Sequence, residues 1–246
     1  MRLDLYLFEK GFVSSRTEAK KFIEEGSVKV FGKVVSKSSY NVDVEDAVIE
    51  LDKSSKKYVS RGGLKLEAAL ETFNLNPKGS YAIDIGASSG GFTDCLLKNG
   101  AAHVIAIDSG TAQLVSELRC DDRVTSVENY NARYMKREDL DYVPNLAVMD
   151  VSFISATYIM LPIFNCLSEN SDFICLIKPQ FEVGRQNIGK GGIVKNEKVR
   201  ENAVLSVIEY AKGIGFEFVG KIVSPIVGGD GNVEYLAHFK KNKNGE

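Results

Sequence analysis

Between residues 81 and 178 the chain alternates short apolar runs with helical segments. YAIDIG, AAHVIAID, DRVTSVE, NLAVMDV and DFICLIKP read as strands, each separated from the next by sequence long enough to cross back over a sheet. This alternation constrains the fold more than any other feature. Strands joined through helices pair in parallel, the crossovers are right-handed, and the result is a doubly wound α/β sheet. Asn196 to Lys212 reads as one more amphipathic helix, with Val199, Ala203, Val204, Val207, Ile208 and Ala211 on its core stripe. After it the grammar changes. GFEFVGKIVSP and NVEYLAHFK are joined by a loop containing GGDG, with no helix between them. A terminal hairpin is expected, which puts one antiparallel strand into a seven-stranded sheet.

Residues 1–52 follow a different order of helix, helix and short strands, an α+β module. RLDLYLFEKGF places leucines at 3 and 7 and stops at Gly11. In SSRTEAKKFIEEG, Ser14 or Ser15 can cap a helix whose stripe is Ala19, Phe22 and Ile23, and Gly26 ends it. Short strands follow, turning at Phe31-Gly32 and near Asn41. Residues 53–60 (KSSKKYVS) are polar, basic and aperiodic, and read as a linker to a second domain over 61–246.

Net charge is −2, but residues 1–40 carry eight Lys/Arg against five Asp/Glu. Arg2, Arg16, Lys20, Lys21 and Lys29 gather around the helix pair, with Arg16 and Lys20 four apart on one face, a patch suited to tracking nucleic-acid phosphates. Cys95, Cys120, Cys166 and Cys175 are widely spaced and form no CxxC pair, so they read as reduced thiols of a cytoplasmic protein. With two histidines in the chain, no metal site is expected. No secretory leader is read, and no apolar run approaches the ~18 residues of a membrane span.

YAIDIGASSGGFTDCLL is a strand, a glycine turn and a helix. It fails the dinucleotide fingerprint, because the position two after Gly86 is Ser88, and it fails the P-loop, because Phe92 follows Gly91. What remains is a strand ending in Asp84, placed to meet an amine, and a second strand ending in Asp108, suited to a ribose with free hydroxyls. An amino acid joined to a ribose without a pyrophosphate describes S-adenosylmethionine. Gly86, Ala87, Ser88, Gly90, Gly91 and Phe92 in the turn, with Asn131 and Asp150 further on, complete the candidate cofactor residues.

Lys65 (RGGLKL), Asp150 (LAVMD), Lys178 (CLIKP) and Glu234 (NVEYL) are candidates for chemistry. Asp150 and Lys178 close parallel strands, whose carboxyl ends line the ligand crevice of an open sheet. Taken together and in this order, the four residues resemble the tetrad of FtsJ-type ribose 2′-O-methyltransferases. The pattern RLD, SR, GSVKV and GK in the first 50 residues resembles the small S4-like RNA-binding domain, with Phe31 where the turn usually has Asn or Asp. VSRGGLKL, DIGASSGGFTD, DVSFIS, IKPQFEVG and GNVEY extend the resemblance over nearly the whole chain, to the TlyA family of ribosomal RNA cytidine 2′-O-methyltransferases, once labelled hemolysins. Tyr58 falls on the aromatic of the family's linker, while KKYV lacks an arginine at its start.

That resemblance implies methyl transfer to a cytidine of ribosomal RNA. The start at MRLD and the end soon after the last strand match the shorter family form, which implies the large subunit. Lys178 would act as a base if burial and the Lys65 cation hold it neutral, or would stay charged and position the hydroxyl, with Asp150 and Glu234 orienting the lysines. Arg61, Lys190 and Lys195 are candidate phosphate contacts, the last two in or beside the glycine-rich stretch GRQNIGKGG, and Phe153 is a candidate to stack on a flipped base. A binding factor for ribosome assembly, a membrane-lytic protein and a methyltransferase acting on protein or a small molecule are the competing functions. The sequence sets no oligomeric state.

Overall fold

A computed structural model describes residues 1–13, 15–24, 26–43, 47–51, 57–228 and 231–243, with the side chains of Lys21 and Glu24 outside the description. The chain forms two compact units, Met1–Ser60 and Arg61–Glu246. Ser14, residues 53–56 of the proposed linker, two residues of the GGDG loop and the Lys21 side chain therefore lie outside the described residues.

In the first unit, α1 (Leu3–Glu9) buries Leu3 and Leu7, one turn apart on one face. Gly11 and Gly26 take the positive φ that follows each helix end, at 72° and 66°. The Ser15 hydroxyl accepts the Glu18 N–H at 3.1 Å and caps α2 (Arg16–Glu24), and Ala19 and Ile23 are its buried contacts. β1 (Val28–Val30) alternates buried, exposed, buried, and pairs antiparallel with β2 (Lys33–Val34) and β3 (Ile49–Leu51) in the order β2-β1-β3. The β1–β2 turn has positive φ at both central residues, 50° at Phe31 and 73° at Gly32. Two-residue hairpins need that conformation, so Phe31 adopts what Asn or Asp adopts more easily.

The second unit begins with α3 (Gly62–Thr72) and contains a seven-stranded sheet. Its strands are β4 (Tyr81–Ile85), β5 (His103–Ile107), β6 (Val124–Val127), β7 (Leu146–Met149), β8 (Ser171–Ile177), β9 (Glu217–Val223) and β10 (Tyr235–Lys241), in the order β6-β5-β4-β7-β8-β10-β9. β4 to β8 are parallel, and β10 runs antiparallel between β8 and β9, as the missing helix between the last two strands requires. β7 is buried at every residue because helices cover both faces.

Strand alternation decides which face each side chain meets. Ile83, Ile85, Ile105, Ile107, Ala147 and Met149 pack with α6 (Thr157–Cys166) and α8 (Glu197–Gly213) in one core cluster. Ala82 and Asp84 point the other way, where α4 (Gly91–Lys98) packs on β4 and α3. β4 lies between β5 on one side and β7 on the other, so the chain reverses direction of winding there. At such a reversal the loops after two neighbouring strands diverge and leave a crevice.

Candidate active site

That crevice is a cleft of about 530 Å³, within the usual range for a small-molecule cofactor. Gly86, Ser88, Asp108, Asn131 and Asp150 line it, with Ile107 and Ala132 as apolar wall. Gly86 has φ +81°, and a Cβ there would overlap the carbonyl oxygen of Asp150, so the turn can pass β7 only as glycine. Gly90 has φ +97°, and a Cβ there would overlap Leu118. Ala87, Gly90, Gly91 and Phe92 do not line the cleft. They are buried and give the turn its shape.

The two acids differ from expectation. Asp108 is spoken for by backbone: Oδ2 accepts the Ser88 N–H at 2.8 Å and Oδ1 the Gly110 N–H at 2.7 Å. Each oxygen keeps a second lone pair for a hydroxyl, so the carboxylate can do both, tying two cleft loops together while facing a ribose. Asp84 lies beneath the turn, fully buried, with Oδ2 accepting from the Thr93 hydroxyl at 2.7 Å and Oδ1 without a partner. Burial pushes its carboxyl up to about 7, the Thr93 bond opposing and the Asp150 and Asp108 charges adding.

A folded value above the unfolded ~3.9 means that the neutral acid favours folding. That contribution is fully present below about pH 4 and is lost as pH rises through about 7. Relative to Asp84→Asn, the unliganded protein should lose on the order of 4 kcal/mol between pH 4 and 8. Parallel thermal melts across that range check this, and equal slopes for both proteins would contradict it.

The four candidate catalytic residues form two lysine–carboxylate pairs. Lys65 Nζ donates to Glu234 Oε2 at 2.6 Å, and both side chains are buried. Lys178 Nζ lies 2.5 Å from Asp150 Oδ1, an ion pair without hydrogen-bond alignment, and donates to Ser152 Oγ at 2.7 Å. Topology brings them to one end of the sheet. Asp150 and Lys178 follow the parallel strands β7 and β8, and Glu234 precedes Tyr235, which pairs with Ile177, the residue before Lys178. Lys65 reaches Glu234 from α3. Each lysine has its own carboxylate partner.

Ser152 was not anticipated as a partner of Lys178, although it lies in DVSFIS. Phe153, next along, is 91% exposed at the mouth of the cleft. Among the basic candidates, Arg2 and Arg16 converge on Asp4, a fully buried carboxylate that they hold well below its usual range, Arg2 by its 2.9 Å hydrogen bond above all. Both guanidinium side chains stay about half exposed, so they stabilise the first unit and still face solvent. Lys20, Lys190 and Lys195 are exposed, Lys29 lies 3.6 Å from Glu50, and Arg61 is half-buried. No group of three or more metal-ligating side chains occurs among the described residues.

Comparison with known proteins fits this geometry. Residues 58–241 match the model of the FtsJ-like methyltransferases, and residues 1–48 match that of the S4 domain. The 16S/23S rRNA (cytidine-2′-O)-methyltransferase TlyA of Mycobacterium tuberculosis is 40% identical over 96% of this chain and 88% of its own. The chain belongs to the TlyA family of FtsJ-like methyltransferases. The family carries a second label. Hemolysin A of Brachyspira hyodysenteriae is 45% identical over 97% of this chain and 99% of its own. A solved structure from Streptococcus thermophilus, also described as a hemolysin, superposes with TM-score 0.79 at 42% identity, covering 99% of this chain and 89% of that one. Among the described residues no helix is long and apolar enough to cross a membrane.

Proposed function

We propose that the protein transfers a methyl group from S-adenosylmethionine to the ribose 2′-oxygen of a cytidine in ribosomal RNA, with large-subunit RNA among its acceptors. One observation carries the proposal: two lysine–carboxylate pairs stand at the end of the sheet where the parallel strands finish, and the carboxylate of one, Asp150, lines the cofactor-sized cleft. A pure RNA-binding factor has no use for that arrangement. The name of the mycobacterial relative supports the nucleotide, the ribose position and the inclusion of 23S RNA. Such a substrate would place the protein with ribosomes in the cytoplasm.

The cleft suits the cofactor. Asp108 offers acceptor lone pairs for ribose hydroxyls, and the backbone of Gly86 and Ser88 leaves room for close approach. S-adenosylmethionine supplies an electrophilic methyl on a sulfonium. The protein's part is to hold the acceptor and dispose of its proton. Lys178 donates one N–H to Ser152 and lies against Asp150. A remaining N–H can donate to the 2′-oxygen and fix it for in-line attack. As the oxygen–carbon bond forms, the hydroxyl proton passes to Asp150 or to water. Lys65 and Glu234, buried behind the site, hold the start of β10 against α3 and so keep Lys178 in register.

Gly86→Ala should cost about 2 kcal/mol of stability and weaken cofactor binding at least tenfold by roughly 1.4 kcal/mol or more. Calorimetric titration with S-adenosylmethionine reads the second effect, and unchanged affinity would move the cofactor away from the turn.

The function itself is tested with methyl-tritiated S-adenosylmethionine and unmethylated large subunits, small subunits and matched naked RNA. Label in large-subunit RNA supports the proposal, and label in small-subunit RNA as well would extend it. Label in neither would overturn it. Binding of subunits without transfer would favour an assembly factor. Lysis of vesicles by the purified protein would revive the hemolysin label.

A further inference from the structure

Phe153 combines two unfavourable properties. Its φ is +65°, the left-handed region that a bulky side chain rarely enters, and its ring is almost wholly in solvent. Backbone strain of this kind persists only where the surroundings over-determine it, and it gathers at functional sites. The residues that enforce it come from one short segment. Lys178 donates to Ser152, just before Phe153. In α7 (Pro179–Glu182) the Phe181 ring lies 5.2 Å from the Phe153 ring. Beyond Phe153, Glu182 Oε2 accepts from the Ser155 hydroxyl at 2.6 Å and Oε1 accepts the Ala156 N–H at 2.9 Å. The segment after β8 thus grips the loop after β7 on both sides of Phe153.

We infer that Glu182 is a positioning residue for methyl transfer, holding residues 152–156 so that Phe153 stays at the mouth of the cleft. The inference rests on the methyltransferase reading above. Glu182 touches neither the cleft nor the lysine pairs, and it acts through Ser155 and Ala156. Burial raises its carboxyl above the usual range, against the two bonds it accepts, so the site bears a desolvation cost in order to keep this clamp. Glu182→Gln can preserve both contacts: its amide oxygen accepts from Ala156, and its NH₂ donates to Ser155, whose hydroxyl turns to Thr157 Oγ1 at 2.7 Å. Glu182→Ala leaves the Ser155 hydroxyl and the Ala156 N–H without this partner.

The test compares Glu182→Ala, Glu182→Gln, Phe153→Ala and the double variant Glu182→Ala/Phe153→Ala. Steady-state transfer to RNA at saturating S-adenosylmethionine is measured, together with hydrogen exchange of residues 152–157 in the unliganded protein. Glu182→Ala should lower kcat/KM for RNA about thirtyfold, mostly through KM, and Glu182→Gln should stay within about threefold. The double variant should be no worse than the poorer single one, because both act on the same loop. Exchange at 152–157 should quicken in Glu182→Ala alone among the two Glu182 variants. Wild-type kinetics in Glu182→Ala, additive losses in the double variant, or unchanged exchange would each overturn the inference. A wild-type protein that labels no RNA would instead sink the methyltransferase reading, and the exchange data would still decide whether Glu182 holds the loop.

Discussion

Lys178→Ala is expected to lower methyl transfer by about a thousandfold, equivalent to roughly 4 kcal/mol of transition-state stabilisation. Affinity for S-adenosylmethionine should change little, because Lys178 reaches the cleft only through Asp150 and Ser152 and is not part of its wall. The variant should also fold. Removing the ammonium leaves Asp150 without its cation, but that carboxylate keeps 23% of its surface in solvent, where water can replace the partner. The stability loss should be about 1 kcal/mol, too small to explain the rate. Lys178→Arg should fail as well, since a planar fork cannot reproduce a point donor between a carboxylate and a hydroxyl. Single-turnover rates, calorimetric titration and thermal melts read the three effects separately. A Lys178→Ala protein within tenfold of wild type would remove this residue from the chemistry.

The second pair predicts the opposite balance. Glu234→Ala should destabilise the protein by about 3–5 kcal/mol, because it leaves the Lys65 ammonium buried without a counter-charge. In a unit of this size that lowers the melting temperature by roughly 10 °C. Activity falls too, but the single variant cannot say why. The double variant Lys65→Met/Glu234→Leu separates the causes. It removes both charges from a site that is 11% and 3% exposed, so stability should return to within about 1 kcal/mol of wild type. If the pair serves only folding, activity returns with it. The proposal requires that activity stays low, since the register between β10 and the end of β8 also depends on this pair.

The two pairs show how far sequence carries a reading of this chain. The sheet was legible because strand-length apolar runs alternate with crossovers, and the lack of a helix after GFEFVGKIVSP announced the antiparallel β10. Asp150 and Lys178 were legible because strand ends converge at a crevice. What escaped depends on distant chain segments meeting. Ser152 bonds a lysine 26 residues away, and Glu182 clasps a loop 26 and 27 residues away, distances at which no local pattern speaks. Asp84 is a different case. It reads as a ligand at a strand end, yet the strand continues through Ile85, and alternation turns Asp84 to the α4 face beside Thr93. Phe31 and Phe153 show local preference overruled. Both accept positive φ, Phe31 to close a hairpin, Phe153 because the neighbouring segment holds it.

The ribose oxygen as methyl acceptor is the central claim, and the chemistry of RNA cleavage tests it. RNA labelled from methyl-tritiated S-adenosylmethionine is hydrolysed to completion in alkali and the products are separated by size and base. Alkaline cleavage needs a free 2′-hydroxyl, so a ribose-methylated cytidine survives as a dinucleotide joined to its 3′ neighbour. The proposal predicts that the label is recovered in such a cytidine-containing dinucleotide. Label in a mononucleotide would mean methylation of a base and would contradict it.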